Sequence, residues 1–245
     1  MKTRFAVVLA AAVTAAPIHA ADRLSGPQTA AACAPVPAST LRETALRIVG
    51  AQDVVVRELY SARTHVVIAG GTSRGLQPDQ RYFIRREPTG KLQPSGPRVA
   101  TTAGWLRIVS ATESTAVALV EFACDGVLAG DVLQPYADPA VSAGEALTAA
   151  VGEPDFNAAG RVLSGENQRE TGTRGDFFLV DVQPPAGSIG ARLAIYRDLQ
   201  TPGVPLAAIA DAVVTGTYGG LSVVRITYAR DAVRSGDLAV PRRAP

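Results

Sequence analysis

Apolar and polar positions alternate with a period of two along much of the chain, and the same alternation is written twice. In 115–123, Ala118, Val120 and Phe122 fall on one side of an extended strand, and in 221–229 Val224, Ile226 and Tyr228 do the same. The opposite side differs, with Leu119 and Glu121 against Arg225 and Thr227. A retained inner face beside a variable outer face predicts a retained core. Aligned at an offset of 106, residues 105–135 and 211–241 share seven identities: Val117/Val223, Ala123/Ala229, Asp125/Asp231, Val127/Val233, Gly130/Gly236, Asp131/Asp237 and Pro135/Pro241. The likeness continues upstream at an offset of 111, where "PDQRYFIRR" (78–86) matches "IGARLAIYR" (189–197).

Apolar strands precede each of these blocks, "LRIVG" (46–50) and "HVVIA" (65–69) in the first copy, "GRVLS" (160–164) and "DFFLV" (176–180) in the second. Long loops at 87–98 and 199–205 join the third and fourth strands of each copy. Turn residues recur at short intervals and helical periodicity is scarce. The predicted fold is all-β: two tandem small antiparallel β-barrels of about six strands each. The boundaries are a first barrel over 44–136, a linker over 137–157 rich in Ala, Gly and Pro, and a second barrel over 158–242. Residues 21–43 read as an extended N-terminal segment, with Thr40 and Glu43 spaced as a capping box.

The repeated turn "AGD" or "SGD" carries a structural expectation. Gly130 and Gly236 permit a positive φ, and Asp131 and Asp237 bond their own local backbone, so both aspartates read as turn residues and not as catalytic carboxylates or metal ligands. On that reading, Asn in place of either aspartate costs little stability, whereas Val in place of either glycine destabilises.

The ends change the picture of the charge. Lys2 and Arg4 precede an apolar run from Phe5 to Ala16, then Pro17 and small residues to Ala20, which reads as a signal peptide over 1–20. That run is too short for a membrane-spanning helix, and no later stretch is long and apolar enough. Without Lys2 and Arg4 the 24 basic residues fall to 22, equal to the 22 acidic ones. The predicted exported chain, periplasmic or secreted, is thus neutral, which argues against a nucleic-acid partner. Its two cysteines, Cys33 and Cys124, are expected to form a disulfide in an oxidising compartment. The alternative, lipidation at Cys33, is disfavoured because polar residues separate it from the apolar run.

Candidate chemistry is sparse. After the signal the only histidine is His65, with Ser61 and Ser73 nearby but no Gly-x-Ser-x-Gly elbow. One His and two oxidised Cys make no usual zinc set, "GEPDFN" (152–157) falls short of a calcium loop, and "GGTSRG" (70–75) lacks the Gly-Lys-Ser/Thr of a phosphate loop. Carboxylates such as Glu113, Glu121, Asp138 and Glu166 are scattered singly. Trp105, whose counterpart is Asp211, reads as core or as a contact surface of the first barrel. No catalytic residue, metal ligand or cofactor is assigned.

The paired patterns "GGTSRGLQPDQRYFIRR…GWLRIV…ACDGVLAGDVLQP" and "IGARLAIYR…ARDAVRSGDLAVP" resemble a group of uncharacterised exported bacterial proteins. Their repeat is similar to the small β-barrel at the C-terminus of flagellar assembly protein T, and some relatives carry LysM modules. "VSAGEAL" (141–147) faintly echoes such a module but is too short to hold one. The resemblance implies tandem barrels and no mapped functional residue. The expectation is a non-enzymatic envelope protein that binds or scaffolds an envelope protein or a cell-wall polymer such as peptidoglycan. An exported carboxylate-dependent hydrolase and a binder of small apolar ligands are the alternatives.

Overall fold

A computed structural model describes residues 24–41, 46–53, 57–88, 96–139, 152–183 and 188–243. The signal-peptide reading, Glu43 and the centre of the expected linker lie outside the described residues. A short helix α1 (Gly26–Ala32) leads into strand β1 (Val36–Pro37). The first copy then forms β2 (Arg47–Ala51), β3 (Leu59–Tyr60), β4 (His65–Ala69), β5 (Arg81–Arg86), β6 (Val99–Ala111), β7 (Thr115–Ala123), β8 (Val127–Leu128) and β9 (Val132–Pro135). The second forms β10 (Gly160–Gly165), β11 (Thr171–Gly172), β12 (Phe177–Val180), β13 (Arg192–Arg197), β14 (Ala207–Tyr218), β15 (Leu221–Ala229), β16 (Val233–Arg234) and β17 (Leu238–Pro241).

Each copy closes into a six-stranded antiparallel barrel. The first runs β6-β5-β9-β2-β4-β7 and returns to β6, with β1 added to the start of β6. The second runs β14-β13-β17-β10-β12-β15 and returns to β14. Strand for strand the orders are the same, and a small ribbon, β3 with β8 or β11 with β16, accompanies each barrel. Closure removes the free edges that an open sheet would leave. The interiors correspond too: Ile84, Ile108, Ala118, Val120 and Val127 in one core stand where Ile195, Val214, Val224, Ile226 and Val233 stand in the other.

One expectation about the inner face is corrected. Phe122 and Tyr228 do not continue the buried row; they are 36% and 56% exposed. The cause is a β-bulge written into both copies. Trp105 pairs with Phe122 but Leu106 with Val120, leaving Glu121 extra, and Asp211 pairs with Tyr228 but Ala212 with Ile226, leaving Thr227 extra. The bulge turns the strand end outward, and Glu121 then meets Arg81 at 2.7 Å and Arg107 at 2.9 Å.

The repeated turn is built as a clamp. Gly130 and Gly236 have φ of 95° and 92°, and a side chain there would meet open space, so the requirement is of the backbone alone. Their N–H groups donate to Ile48 and Val162, which tie the turn to the opening strand of each barrel. The Asp131 and Asp237 carboxylates accept from the N–H groups of Leu128 and Arg234, three residues back. The local bonding expected from sequence is therefore present. It is joined by something larger: Arg86 of β5 forks onto Asp131 (Nε to Oδ1 2.9 Å, Nη2 to Oδ2 3.0 Å), and Arg197 of β13 onto Asp237 (2.9 and 2.8 Å). The same guanidinium groups reach Asp125 and the Gly126 carbonyl, or Asp231 and the Ala232 carbonyl. Both carboxylates are buried, so the low stability cost expected of an Asn replacement is overturned.

Asp79 and Gly190 occupy one turn position in the two copies. Both have positive φ (67° and 84°), and their N–H groups donate to equivalent carbonyls, Ile108 and Val214. Asp79 also accepts from Arg107 through an exposed side chain, a contact of small value. Asp79→Gly should therefore keep the melting temperature, whereas Asp79→Val should lose about 1–2 kcal/mol, because a β-branched residue is strained at that φ. Thermal unfolding of the two variants side by side checks this, and equal stability of both speaks against the backbone argument.

The N-terminal segment is not loose. The α1 helix starts at a capping box in which Ser25 and Gln28 exchange bonds. It does not use Thr40, whose hydroxyl donates instead to the Pro37 carbonyl at 2.7 Å. Cys33 at its end is bonded to Cys124 just after β7, as expected. Part of the expected linker also packs: Pro154 bridges to Arg242, and Arg243 pairs with Asp155 at 3.3 Å.

Candidate functional site

Residues kept in both copies serve the shared fold, so the side chains that differ at equivalent buried positions point to what one copy does alone. In β5, Ile84 faces the core and Phe83 and Arg85 lie on the outer face. An outer face ordinarily meets water, but here the N-terminal segment covers it. Arg85 is only 5% exposed. Its Nη1 donates to the Ala34 carbonyl at 3.2 Å and to the Thr102 hydroxyl, its Nε donates to Gln134 Oε1 at 3.2 Å, and the guanidinium stands 4.4 Å over the Phe83 ring. Thr102 in turn donates to the Ala34 carbonyl at 2.5 Å. The equivalent positions in the second barrel are Tyr196, Ala208 and Val240, with no charge among them.

Every hydrogen-bond acceptor of Arg85 is neutral. Burial accordingly pushes its pKa down to about 10, an effect partly offset by Tyr218, and the group stays cationic at neutral pH. Its Nη2 makes no hydrogen bond among the described residues. A buried cation without an anion is unusual, since desolvation of the charge is left uncompensated.

Arg85 lines a cavity of about 510 Å³ at the seam of the molecule. Its walls are the N-terminal segment, β5, the chain after β9, and the end of β14 from the second barrel, Thr215–Tyr218. Burial raises the Tyr218 phenol pKa, and the nearby Arg85 charge pulls it back. Gly216 is required by close approach, because a Cβ there would stand 2.8 Å from the Tyr218 ring. Asp138 is the one carboxylate on the wall among the described residues.

The two barrels are held together beside this cavity. Ala34 and Val99 pack with Leu179, Val223 and Tyr218 in one apolar cluster. Around it Thr101 bonds Asn167 at 2.9 Å, Gln168 donates to the Val99 carbonyl at 3.1 Å, and Ser164 donates to the Pro97 carbonyl at 3.0 Å. Asn167 and Gln168 hold φ of 56° and 59°, two successive left-handed residues without glycine.

A second difference between the copies sits next to the helix. Trp105 is buried under the N-terminal segment, stacked on Phe122 at 4.6 Å and tilted against Tyr136 at 6.2 Å. At the equivalent pair in the second barrel, Asp211 and Arg242 form an ion pair at 3.1 Å. Where the second copy has a polar contact the first has an aromatic platform, and α1 and Cys33 pack on that platform.

Apart from Asp138, the residues weighed for chemistry from sequence fall outside this cavity wall. His65 opens β4 on the exposed side, and the Ser73 hydroxyl donates to the Glu113 carbonyl at 2.6 Å. Asp131 and Asp237 belong to the turn clamps. Among the described residues no group of three or more His, Cys, Asp or Glu could hold a metal ion. Arg85 was missed by sequence reasoning, although one signal was there: between the identical pairs Ile84/Ile195 and Arg86/Arg197 it stands against Tyr196.

No family model matches the chain, and no curated protein matches it either.

Proposed function

We propose that the chain is an exported, non-catalytic binding module of the cell envelope, two barrels fixed as one body that engage an envelope protein or a cell-wall polymer. The observation that carries this reading is the contrast between the copies: Arg86 with Asp131 and Arg197 with Asp237, kept in both, form the turn clamps, whereas Arg85, Thr102 and Gln134, which the second copy lacks, meet where both barrels and the N-terminal segment come together. The signal-like N-terminus and the Cys33–Cys124 bond support an oxidising compartment. Among the described residues no helix is long and apolar enough to cross a membrane. Exposed Leu199 and Val204, on the loop between β13 and β14, offer apolar contact to a partner.

Crosslinking in intact cells followed by affinity capture tests the reading. The expected result is one envelope component recovered with the intact chain and lost when Leu199 and Val204 are both changed to Glu. Turnover of a cell-wall polymer by the purified chain, abolished by replacing a carboxylate, would instead establish the hydrolase.

A further inference from the structure

The seam cavity has the chemistry of an anion site. We infer that it takes a small organic monocarboxylate, whose carboxylate meets the free Nη2 edge of Arg85 and whose apolar body lies between the N-terminal segment and the end of β14. This rests on the reading of the chain as a binding module and names a ligand for it.

Three features fix the class. First, Arg85 is a buried guanidinium with neutral acceptors on Nε and Nη1 and none on Nη2, so the two Nη2 hydrogens remain to be donated to a charged acceptor. Second, a single negative charge neutralises it. Inorganic phosphate, in part a dianion at pH 7, brings excess charge towards a wall that also carries Asp138 and has no apolar body to fill the rest of the cavity. Third, the rest of the wall is mostly small and apolar, with Ala34, Pro139 and Ile189 among its residues, and Thr217 and Tyr218 add hydroxyl groups. A cavity of about 510 Å³ has the size of an ordinary small-molecule pocket. A purely apolar ligand, the alternative raised from sequence, would leave the guanidinium unpaired and further desolvated.

The second barrel serves as an internal control. It repeats the strands, bulges and clamps of the first, yet has Tyr196, Ala208 and Val240 where the first has Arg85, Thr102 and Gln134. The fold closes without the cation, so the barrel does not require it.

Calorimetric titration of the whole mature chain at pH 7 with benzoate, acetate, inorganic phosphate and benzylamine tests the proposal. The expected result is one-to-one binding of benzoate, weaker binding of acetate, and none of phosphate or benzylamine at the same millimolar concentrations. Arg85→Gln should weaken benzoate by about tenfold or more, the loss of a charge-assisted hydrogen bond. Because that variant also loses bonds to Ala34 and Thr102, Ala137→Trp provides a second arm. Ala137 is exposed on the cavity wall and holds none of the Arg85 hydrogen bonds, so an indole there takes up cavity space while those bonds keep their partners. No benzoate binding, a preference for phosphate or benzylamine, or benzoate binding unchanged in both variants overturns the assignment. Capture of the envelope component from cells then separates the two readings: if it persists while the titrations fail, the pocket is wrong and the binding module stands.

Discussion

Asp131→Asn is expected to lower the stability of the first barrel by about 2–4 kcal/mol, somewhat less than breaking a fully buried ion pair costs because the Arg86 side chain is 23% exposed. The carboxylate is 4% exposed and serves two donors, the Arg86 fork and the Leu128 N–H. The Leu128 N–H and Arg86 Nη2 both donate to Oδ2, so an amide oxygen there keeps those two bonds, but the Nε bond to Oδ1 and the negative charge that pairs with Arg86 are lost. The amide NH2 group also points donors at donors. Arg86 keeps Asp125, but that side chain is 54% exposed and a contact of its kind contributes little. Asp125→Asn should therefore shift the melting temperature by no more than a degree or two, whereas Asp131→Asn shifts it by several. Asp237→Asn should behave alike in the second barrel, because Arg197 and Arg234 repeat the arrangement. The double variant Arg86→Met with Asp131→Leu should recover much of the loss, since both charges leave together. Chemical unfolding of Arg86→Met, Asp131→Leu and the double variant gives the coupling energy directly. A coupling near zero would show that the clamp is geometry without energy.

The clamp also shows how far the sequence was readable. Period-two alternation and a constant offset located the strands well: 65–69 was placed to the residue, and the loop expected over 87–98 separates β5 from β6 as drawn. Those signals are local, and barrel strands are set largely by local pattern and turn chemistry. Asp131 was read from its immediate neighbours, so its backbone bonds were foreseen. Its partner Arg86 lies 45 residues away, and no spacing rule reports that contact. The bulges at Glu121 and Thr227 were hidden for a related reason: a single inserted residue breaks the alternation that was used to assign the face. Within the segment read as extended, residues 24–41 depart most from the expectation. A seven-residue helix is too short to be stable on its own and shows no amphipathic stripe; it is held by its capping box, by the aromatic platform and by a covalent bond. Arg85 is buried only because that segment covers it, so the candidate site could not be found before the segment was placed.

Reducing the Cys33–Cys124 bond, or replacing both residues with Ser, should destabilise the first barrel by about 4–5 kcal/mol and weaken the proposed carboxylate site along with it. The two cysteines are 91 residues apart, and in the chain-entropy account closing a loop of this size removes that much freedom from the unfolded chain. The bond also fixes one end of the segment that forms a cavity wall, joining the end of α1 to the chain after β7. With the tether gone, the segment keeps non-covalent anchors alone: packing on Phe83, Trp105 and Tyr136, the bonds of Arg85 and Thr102 to the Ala34 carbonyl, the contacts of Ala34 with Leu179 and Val223, and the short pairing of β1 with β6. Local opening of this segment then exposes Arg85 to water, and a hydrated guanidinium has less to gain from a carboxylate. Two measurements separate the effects. Thermal unfolding with and without reductant should move the transition of the first barrel, or the whole transition where the barrels unfold together. Protection of the Ala34 and Thr102 amides in hydrogen exchange should fall at temperatures well below that transition. Unchanged protection of these amides in a destabilised reduced chain would mean that the bond acts on the unfolded state alone, and benzoate affinity should then be unaffected.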